Sequence, residues 1–199
     1  MPSIDVSLAI VIAYLFGSIS SAIVVCRVMG LPDPRTQGSR NPGATNVLRI
    51  GGKKAALIAL FGDMLKGFIP VLAAKLYGIE TTGLAFVMLA AFLGHLYPVF
   101  FRFEGGKGVA TLIGCLFALS LPIGLCWSAT WLLMAVLFRY SSLASLTASL
   151  LAPLYAWYFT DNLFVACIIL LMSLLLIIRH KKNIEKLFAG NESKIGQKT

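Results

Sequence analysis

Residues 109–138 read VATLIGCLFALSLPIGLCWSATWLLMAVLF, a run of 30 residues without a single charge. As one helix it would be about 45 Å long at ~1.5 Å per residue. The hydrocarbon core of a bilayer is only about 30 Å thick. Pro122 stands near the middle of the run, and proline removes a backbone hydrogen bond and bends or breaks a helix. The run therefore splits near residues 120–122 into two short helices. A re-entrant hairpin over the same residues is the second reading, and it leaves the flanking loops on the same side of the membrane.

The rest of the chain has the same character. Of its 199 residues, 58% are hydrophobic and only 13% charged, more apolar surface than a soluble domain of this size can hide. Apolar runs also fall at 6–26, 55–77, 83–101, 141–160 and 162–178. None alternates apolar and polar residues as a barrel strand would, whereas helices satisfy their own backbone hydrogen bonds in lipid. The expected fold is all-α: a polytopic membrane protein, with residues 1–199 forming a single domain.

Two blocks of positive charge set its topology. Arg27, Arg35, Arg40, Arg49, Lys53 and Lys54 form the first; Arg179, Lys181, Lys182, Lys186, Lys194 and Lys198 form the second. Basic loops beside membrane helices stay in the cytoplasm. An even number of crossings must therefore separate the blocks, and splitting residues 109–138 supplies it. The count becomes seven transmembrane helices, with the N-terminus outside and the C-terminus cytoplasmic. All but Lys66 and Lys75 of the 17 Lys and Arg residues then lie in the cytoplasm or at its edge. Met1 to Asp5 carry an acid and no basic stretch, which argues against a cleaved signal peptide. The predicted location is a membrane, crossed several times, with both basic blocks on its cytoplasmic side. Cys26, Cys115, Cys126 and Cys167 form no C-x-x-C pair, and each sits in or beside an apolar run, so they read as packing residues. No cofactor and no metal are expected. The net charge of +9 is accounted for by topology, anionic lipid or a phosphorylated substrate, so nucleic acid is not expected as a partner.

The chemistry concentrates in the predicted cytoplasmic loops. The first contains Gly38-Ser39-Arg40-Asn41-Pro42-Gly43-Ala44-Thr45-Asn46-Val47-Leu48-Arg49. Pro42-Gly43 has the order favoured at the centre of a type II turn. A short helix over residues 44–50 would follow, its opening N–H groups a seat for an anion, with Thr45 and Arg49 on one face. An ordinary Gly/Pro connector with solvated arginines fits the same letters. The second loop, Arg102-Phe103-Glu104-Gly105-Gly106-Lys107-Gly108, runs straight into the uncharged stretch. Its glycines let backbone approach a ligand, and Lys107 adds a full charge at a helix start. It also reads as a plain helix cap, and no Walker A pattern occurs. His95, two turns before the end of the third run, is a functional candidate because a histidine in a membrane helix is costly; a hydrogen bond to a neighbouring helix is its structural reading. Asp63 and Lys66, three apart, read as a buried structural pair. Gly17, Ser18, Ser20, Ser21 and Ala22 read as a close-packing stretch. His180, Asn183 and Leu187 follow helical spacing in the tail, either as contacts to a polar substrate or as an amphipathic stretch on lipid headgroups.

Together these segments resemble the bacterial acyl-phosphate:glycerol-3-phosphate acyltransferases. The likeness rests on residues 38–49, then Gly94-His95-Leu96-Tyr97-Pro98-Val99-Phe100 through Gly105-Gly106-Lys107-Gly108-Val109-Ala110-Thr111, then residues 180–192, in that order along nearly the whole chain. The resemblance implies transfer of a fatty acyl group from acyl phosphate to the sn-1 hydroxyl of glycerol 3-phosphate, giving lysophosphatidic acid, on the cytoplasmic face. It implies that His95, Ser39 and Lys107 are catalytic. Ser39, Asn41, Gly43, Thr45, Asn46, Arg49, Gly105, Gly106, Lys107, Gly108, His180 and Asn183 would bind substrate. The implied partners are glycerol 3-phosphate, acyl phosphate with its chain in the bilayer, and membrane lipids. The sequence departs from the family at Arg40, where glycine is common, at Glu104, where lysine is common, and at Lys181, where arginine often follows the histidine.

An acyl phosphate is already activated, so the catalyst must mainly hold the hydroxyl at the carbonyl carbon and offset the charge of two phosphates. The proton acceptor is His95, His180 or the donor's own phosphate. The His-x₄-Asp signature of thioester-dependent acyltransferases does not occur: Phe100 stands five residues after His95, and Glu185 five after His180. The reading from another class is a small transporter for an organic or phosphate anion. Against it, the polar residues gather toward one face rather than at the midplane.

Overall fold

The structure is a computed structural model that describes residues 3–197. Met1, Pro2, Thr199 and Lys198 of the second basic block lie outside the described residues. Those described are all-helical, without strands, in the order α1 (Ser3–Gly17), α2 (Ser21–Val28), α3 (Ala44–Leu76), α4 (Thr81–Leu96), a single 3₁₀ turn at Val99–Phe101, α5 (Val109–Leu119), α6 (Leu121–Phe138), α7 (Ser141–Thr160), α8 (Leu163–Arg179) and α9 (Lys181–Phe188).

The uncharged run does break where its proline demands. Ser120 is extended (φ −158°, ψ 125°) and Pro122 stands in the first turn of α6, where a missing N–H costs nothing. Three helical stretches, Ala44–Leu76, Thr81–Phe101 and Leu121–Phe138, are long and apolar enough to cross a membrane, or up to five if each of two bent pairs forms one span. The 11 residues of α5 cover roughly 16 Å, about half a hydrocarbon core.

Two compact units divide the chain after Leu119. In the first, α3 packs against α1, α2, α4 and α5, and α1 lies along α4. Glycines set both close crossings. A Cβ on Gly17 would sit 2.1 Å from the Ala91 carbonyl oxygen, and one on Gly94 2.3 Å from that of Tyr14, which brings α1 and α4 into backbone contact. Gly67 and Gly114 do the same for α3 and α5, against the carbonyl oxygens of Thr111 (2.2 Å) and Met64 (2.0 Å). Without a hydrophobic drive between helices in lipid, such contacts supply the packing energy. At the far end of this unit, Lys75 Nζ donates to the carbonyls of Leu119 (2.8 Å) and Ala118 (3.4 Å), capping the end of α5.

Three local expectations are corrected. The first apolar run, residues 6–26, is not one helix: α1 and α2 meet at a 41° bend over Ser18 to Ser20. Pro42-Gly43 is not a type II turn, because Gly43 is extended (φ −140°, ψ 161°); it caps α3, which starts at Ala44 and breaks at Gly52 (φ 76°). His95 lies in the last turn of its helix rather than two turns inside, because α4 stops at Leu96. Tyr97, which precedes Pro98, is forced out of the helical region (φ −133°, ψ 68°).

In the second unit α7 packs on both α6 and α8. Its contact stripe is Ala144, Ala148, Ala152 and Ala156, all fully buried at helical spacing. Polar side chains stitch the helices: Trp131 Nε1 donates to Ser145 Oγ (3.0 Å), Thr130 and Tyr155 share a 2.7 Å hydroxyl contact, and Ser173 donates to the Ser149 carbonyl (2.7 Å). After α9 the chain folds back on the α6–α7 turn, where Arg139 Nη2 donates to the Ile195 carbonyl (3.0 Å) and the Ile195 amide to that of Arg139 (2.6 Å).

Candidate active site

At the heart of the first unit is a buried polar cluster that answers a problem of its own fold. The bend between α1 and α2 strands backbone groups in an apolar interior, where an unmet hydrogen bond costs several kcal/mol. Asp63 and Lys66 of α3 meet them. Lys66 Nζ donates to the Ile19 carbonyl at 2.8 Å, and Asp63 Oδ1 accepts from the Ser21 amide at 3.3 Å. The two side chains pair with each other at 2.9 Å, both nearly fully buried. Each thus compensates one end of the break: the cation at the close of α1, the anion at the opening of α2. Thr111 of α5 donates its hydroxyl to the Asp63 carbonyl (3.0 Å) and meets His95 Nδ1 at 3.1 Å, while Asp63 Oδ1 lies 3.9 Å from that nitrogen. Asp63, Lys66, Thr111 and His95 are all buried.

His95 joins this cluster to the two glycine-rich loops. The Gly106 amide donates to the His95 carbonyl (3.2 Å). A Cβ on Gly106 would fall 2.3 Å from His95 Nε2 and 3.2 Å from the Pro42 carbonyl oxygen. One on Gly105 would meet the carbonyl oxygens of His95 (2.1 Å) and Leu96 (2.4 Å). Gly108, at φ +90°, sits against the Phe92 ring. These glycines let the second loop lie directly on the end of α4, with the first loop on its other side. Lys107 is half-buried just before α5 begins.

The first loop is organised from within by Asn46. Its amide nitrogen donates to the carbonyls of Pro34 (2.8 Å) and Gln37 (3.0 Å), and its oxygen accepts from the Ser39 amide (2.9 Å). Ser39, Thr45 and Arg49 are exposed, whereas Asn41 and Gly43 are half-buried. Arg40 takes the left-handed conformation (φ 57°), which glycine adopts at no steric cost. Arg35 ties the two loops together, pairing with Asp33 (2.7 Å) and Glu104 (3.0 Å). Its hydrogen bond and charge hold the Asp33 carboxyl below the usual carboxylate range.

In the second unit, His180 stands at the 61° bend between α8 and α9 and opens α9, its carbonyl accepting from the Asn183 (2.8 Å) and Ile184 (2.9 Å) amides. It is buried, with Nδ1 donating to the Leu176 carbonyl at 2.8 Å. Asn183 Nδ2 and Ser142 Oγ both donate to Glu192 Oε1, at 2.7 and 2.6 Å.

The sequence-predicted residues thus fall into two groups. Ser39, Asn41, Gly43, Thr45, Asn46, Arg49, His95, Gly105, Gly106, Lys107 and Gly108 belong to the first unit; His180 and Asn183 belong to the second. Sequence reasoning gave no role to Thr111, Ser142 or Glu192. Threonine and serine in apolar runs look like packing residues, and only their long-range partners reveal more. Among the described residues no group of three or more His, Cys, Asp or Glu side chains is placed to hold a metal.

Fold and site together define an all-helical integral membrane protein whose buried ionic cluster supports glycine-rich loops bearing Arg and Lys. The glycerol-3-phosphate acyltransferase family pattern matches residues 7–190. A glycerol-3-phosphate acyltransferase of Methylococcus capsulatus is 53% identical over 191 residues, 96% of each chain. One from Shewanella sp. strain MR-4 is 52% identical over 96% of this chain and 93% of its own. Among solved structures, the glycerol 3-phosphate form of PlsY, an integral membrane glycerol 3-phosphate acyltransferase, matches with a TM-score of 0.90 at 43% identity, covering 96% of both chains. Its lysophosphatidic acid form matches with a TM-score of 0.88 at 42% identity. The chain belongs to the glycerol-3-phosphate acyltransferase family and is a membrane acyltransferase.

Proposed function

We propose that this protein transfers a fatty acyl group from acyl phosphate to the sn-1 hydroxyl of glycerol 3-phosphate, releasing lysophosphatidic acid and inorganic phosphate at the cytoplasmic face of the inner membrane. The observation that carries the reading is the meeting of the two glycine-rich loops at Gly106, with the Pro42 carbonyl on one side and His95 Nε2 on the other. It occurs in a chain that resembles a PlsY solved in forms named for glycerol 3-phosphate and lysophosphatidic acid. Both loops carry cations, Arg49 and Lys107, suited to two phosphates.

In the proposed step the acceptor hydroxyl attacks the carbonyl carbon, the new ester C–O bond forms, and the bond to the phosphate oxygen breaks. Holding the two groups in line supplies up to about 7–11 kcal/mol in favourable systems. Arg49 and Lys107, helped by Ser39, Thr45 and backbone N–H groups, offset charge on the phosphates. The departing phosphate is itself basic enough to take the hydroxyl proton, which leaves His95 to position rather than to ionise. His180 and Asn183, in the second unit, are assigned to substrate binding by the resemblance alone.

The test is purified protein in detergent with acyl phosphate and labelled glycerol 3-phosphate. Lysophosphatidic acid with no other protein added supports the reading; uptake into sealed vesicles without product supports an anion transporter. Within the reading, His95→Gln retains part of the activity if the donor phosphate is the base and loses nearly all of it if His95 is.

A further inference from the structure

Resting on that reading of the loops, the geometry points to Thr111 as a positioning residue: it fixes which nitrogen of His95 carries the proton, and so presents His95 to the Gly105–Lys107 loop as a hydrogen-bond acceptor. The proton on the Thr111 hydroxyl decides the ring state. A hydroxyl has one, and that of Thr111 goes to the Asp63 carbonyl, which can only accept (3.0 Å). Toward His95 Nδ1, at 3.1 Å, the same oxygen can then only accept, so Nδ1 must be the N–H of the ring. Charge acts in the same direction. The Asp63 carboxylate lies 3.9 Å from Nδ1 and favours a proton there. Lys66, 2.9 Å from that carboxylate and 2.8 Å from the Ile19 carbonyl, keeps it in place.

With Nδ1 protonated, neutral His95 turns the lone pair of Nε2 toward Gly106. A lone pair accepts from N–H or O–H and repels phosphate oxygens. His95 therefore serves the loop, or the acceptor hydroxyl, and is not a phosphate ligand; the phosphate-binding donors are the cations and backbone amides around it. Thr111 acts through the ring it orients.

The chain has only two histidines, so the ring state is directly readable. Protein labelled with nitrogen-15 histidine in detergent is examined by NMR, with His180→Asn used to assign the His95 signals. We expect His95 with Nδ1 protonated and Nε2 bare in the unmodified protein. In Thr111→Val, which keeps the shape and removes the hydroxyl, the proton shifts toward Nε2. Lysophosphatidic acid formation then falls about tenfold in kcat/KM, the scale of one lost hydrogen bond, carried mainly by KM. Thr111→Ser restores both signals. A wild-type spectrum with Nε2 protonated overturns the inference even if no variant folds. An unchanged tautomer in Thr111→Val overturns it too, as does a switched tautomer with unchanged kcat/KM. If the unmodified protein makes no lysophosphatidic acid, the reaction has been misassigned, and the spectra still decide the role of Thr111.

Discussion

Lys66→Met is the perturbation that reads the buried cluster most clearly. In the native structure Lys66 Nζ pairs with Asp63 at 2.9 Å and caps the Ile19 carbonyl at 2.8 Å, with its side chain only 4% exposed. Methionine keeps the length and removes the charge and all three donors. Asp63 is then a buried carboxylate without its cation, and breaking one half of a buried pair costs about 3–5 kcal/mol. Adding Asp63→Asn removes the stranded charge while keeping an acceptor for the Ser21 amide. The double variant then loses about 1–3 kcal/mol, the cost of leaving the Ile19 carbonyl unmet. Thermal unfolding in detergent measures the order: the single variant lowest, the double variant recovering about half of the loss. At roughly 2–4 °C per kcal/mol, the single variant melts about 10 °C below the parent. A double variant as unstable as the single one, or a single variant within about 1 kcal/mol of the parent, would refute the view that Lys66 balances Asp63 across the helix break.

Other expectations follow from single contacts. Gly114→Val should prevent folding, because its Cβ would lie 2.0 Å from the Met64 carbonyl oxygen, whereas Gly30→Ala, at φ +66° in open space, should cost only about 1 kcal/mol; expression and melting of the two variants check the contrast. Arg40→Gly relieves a left-handed arginine (φ 57°) and should raise stability by up to about 1 kcal/mol in the same assay. Asn46→Ala strips the first loop of three internal hydrogen bonds and should raise KM for at least one substrate by tenfold or more, with helix content by circular dichroism unchanged. Arg49→Ala and Lys107→Ala should each weaken binding of one phosphate by about 10–150-fold, the scale of a hydrogen bond to a charged group, read as separate KM values for donor and acceptor.

Features with local causes were legible in the sequence. The break at Ser120 follows from a proline and a run too long for a bilayer; the end of α4 at Leu96 also has a local cause in Pro98, but the apolar letters carry on to Phe101 and the expectation followed them. The Asp63–Lys66 pair was readable from its i,i+3 spacing. Features with distant causes were not. The bend at Ser18 to Ser20 contains no proline; its backbone groups are satisfied by side chains more than 40 residues away. Pro42-Gly43 has turn chemistry, but Gly43 is extended as a helix cap, and the left-handed residues fall at Gly38 and Arg40 instead. Asn46 looks like a substrate contact beside Thr45 and proves to brace the loop, a role visible only once residues 34–39 fold over it. Ser142 and Glu192 are separated by a 50-residue interval and share one hydrogen bond that no spacing rule anticipates.

The central claim is that this chain, alone, moves an acyl group between two phosphorylated partners by attack at the carbonyl carbon. Acyl phosphate carrying an isotopic oxygen label at the bridging position, supplied with glycerol 3-phosphate to the purified protein, tests it directly. The account predicts lysophosphatidic acid and inorganic phosphate in equal amounts, with the label leaving in the phosphate. Labelled free fatty acid in place of ester, or no lysophosphatidic acid from folded protein, would contradict it.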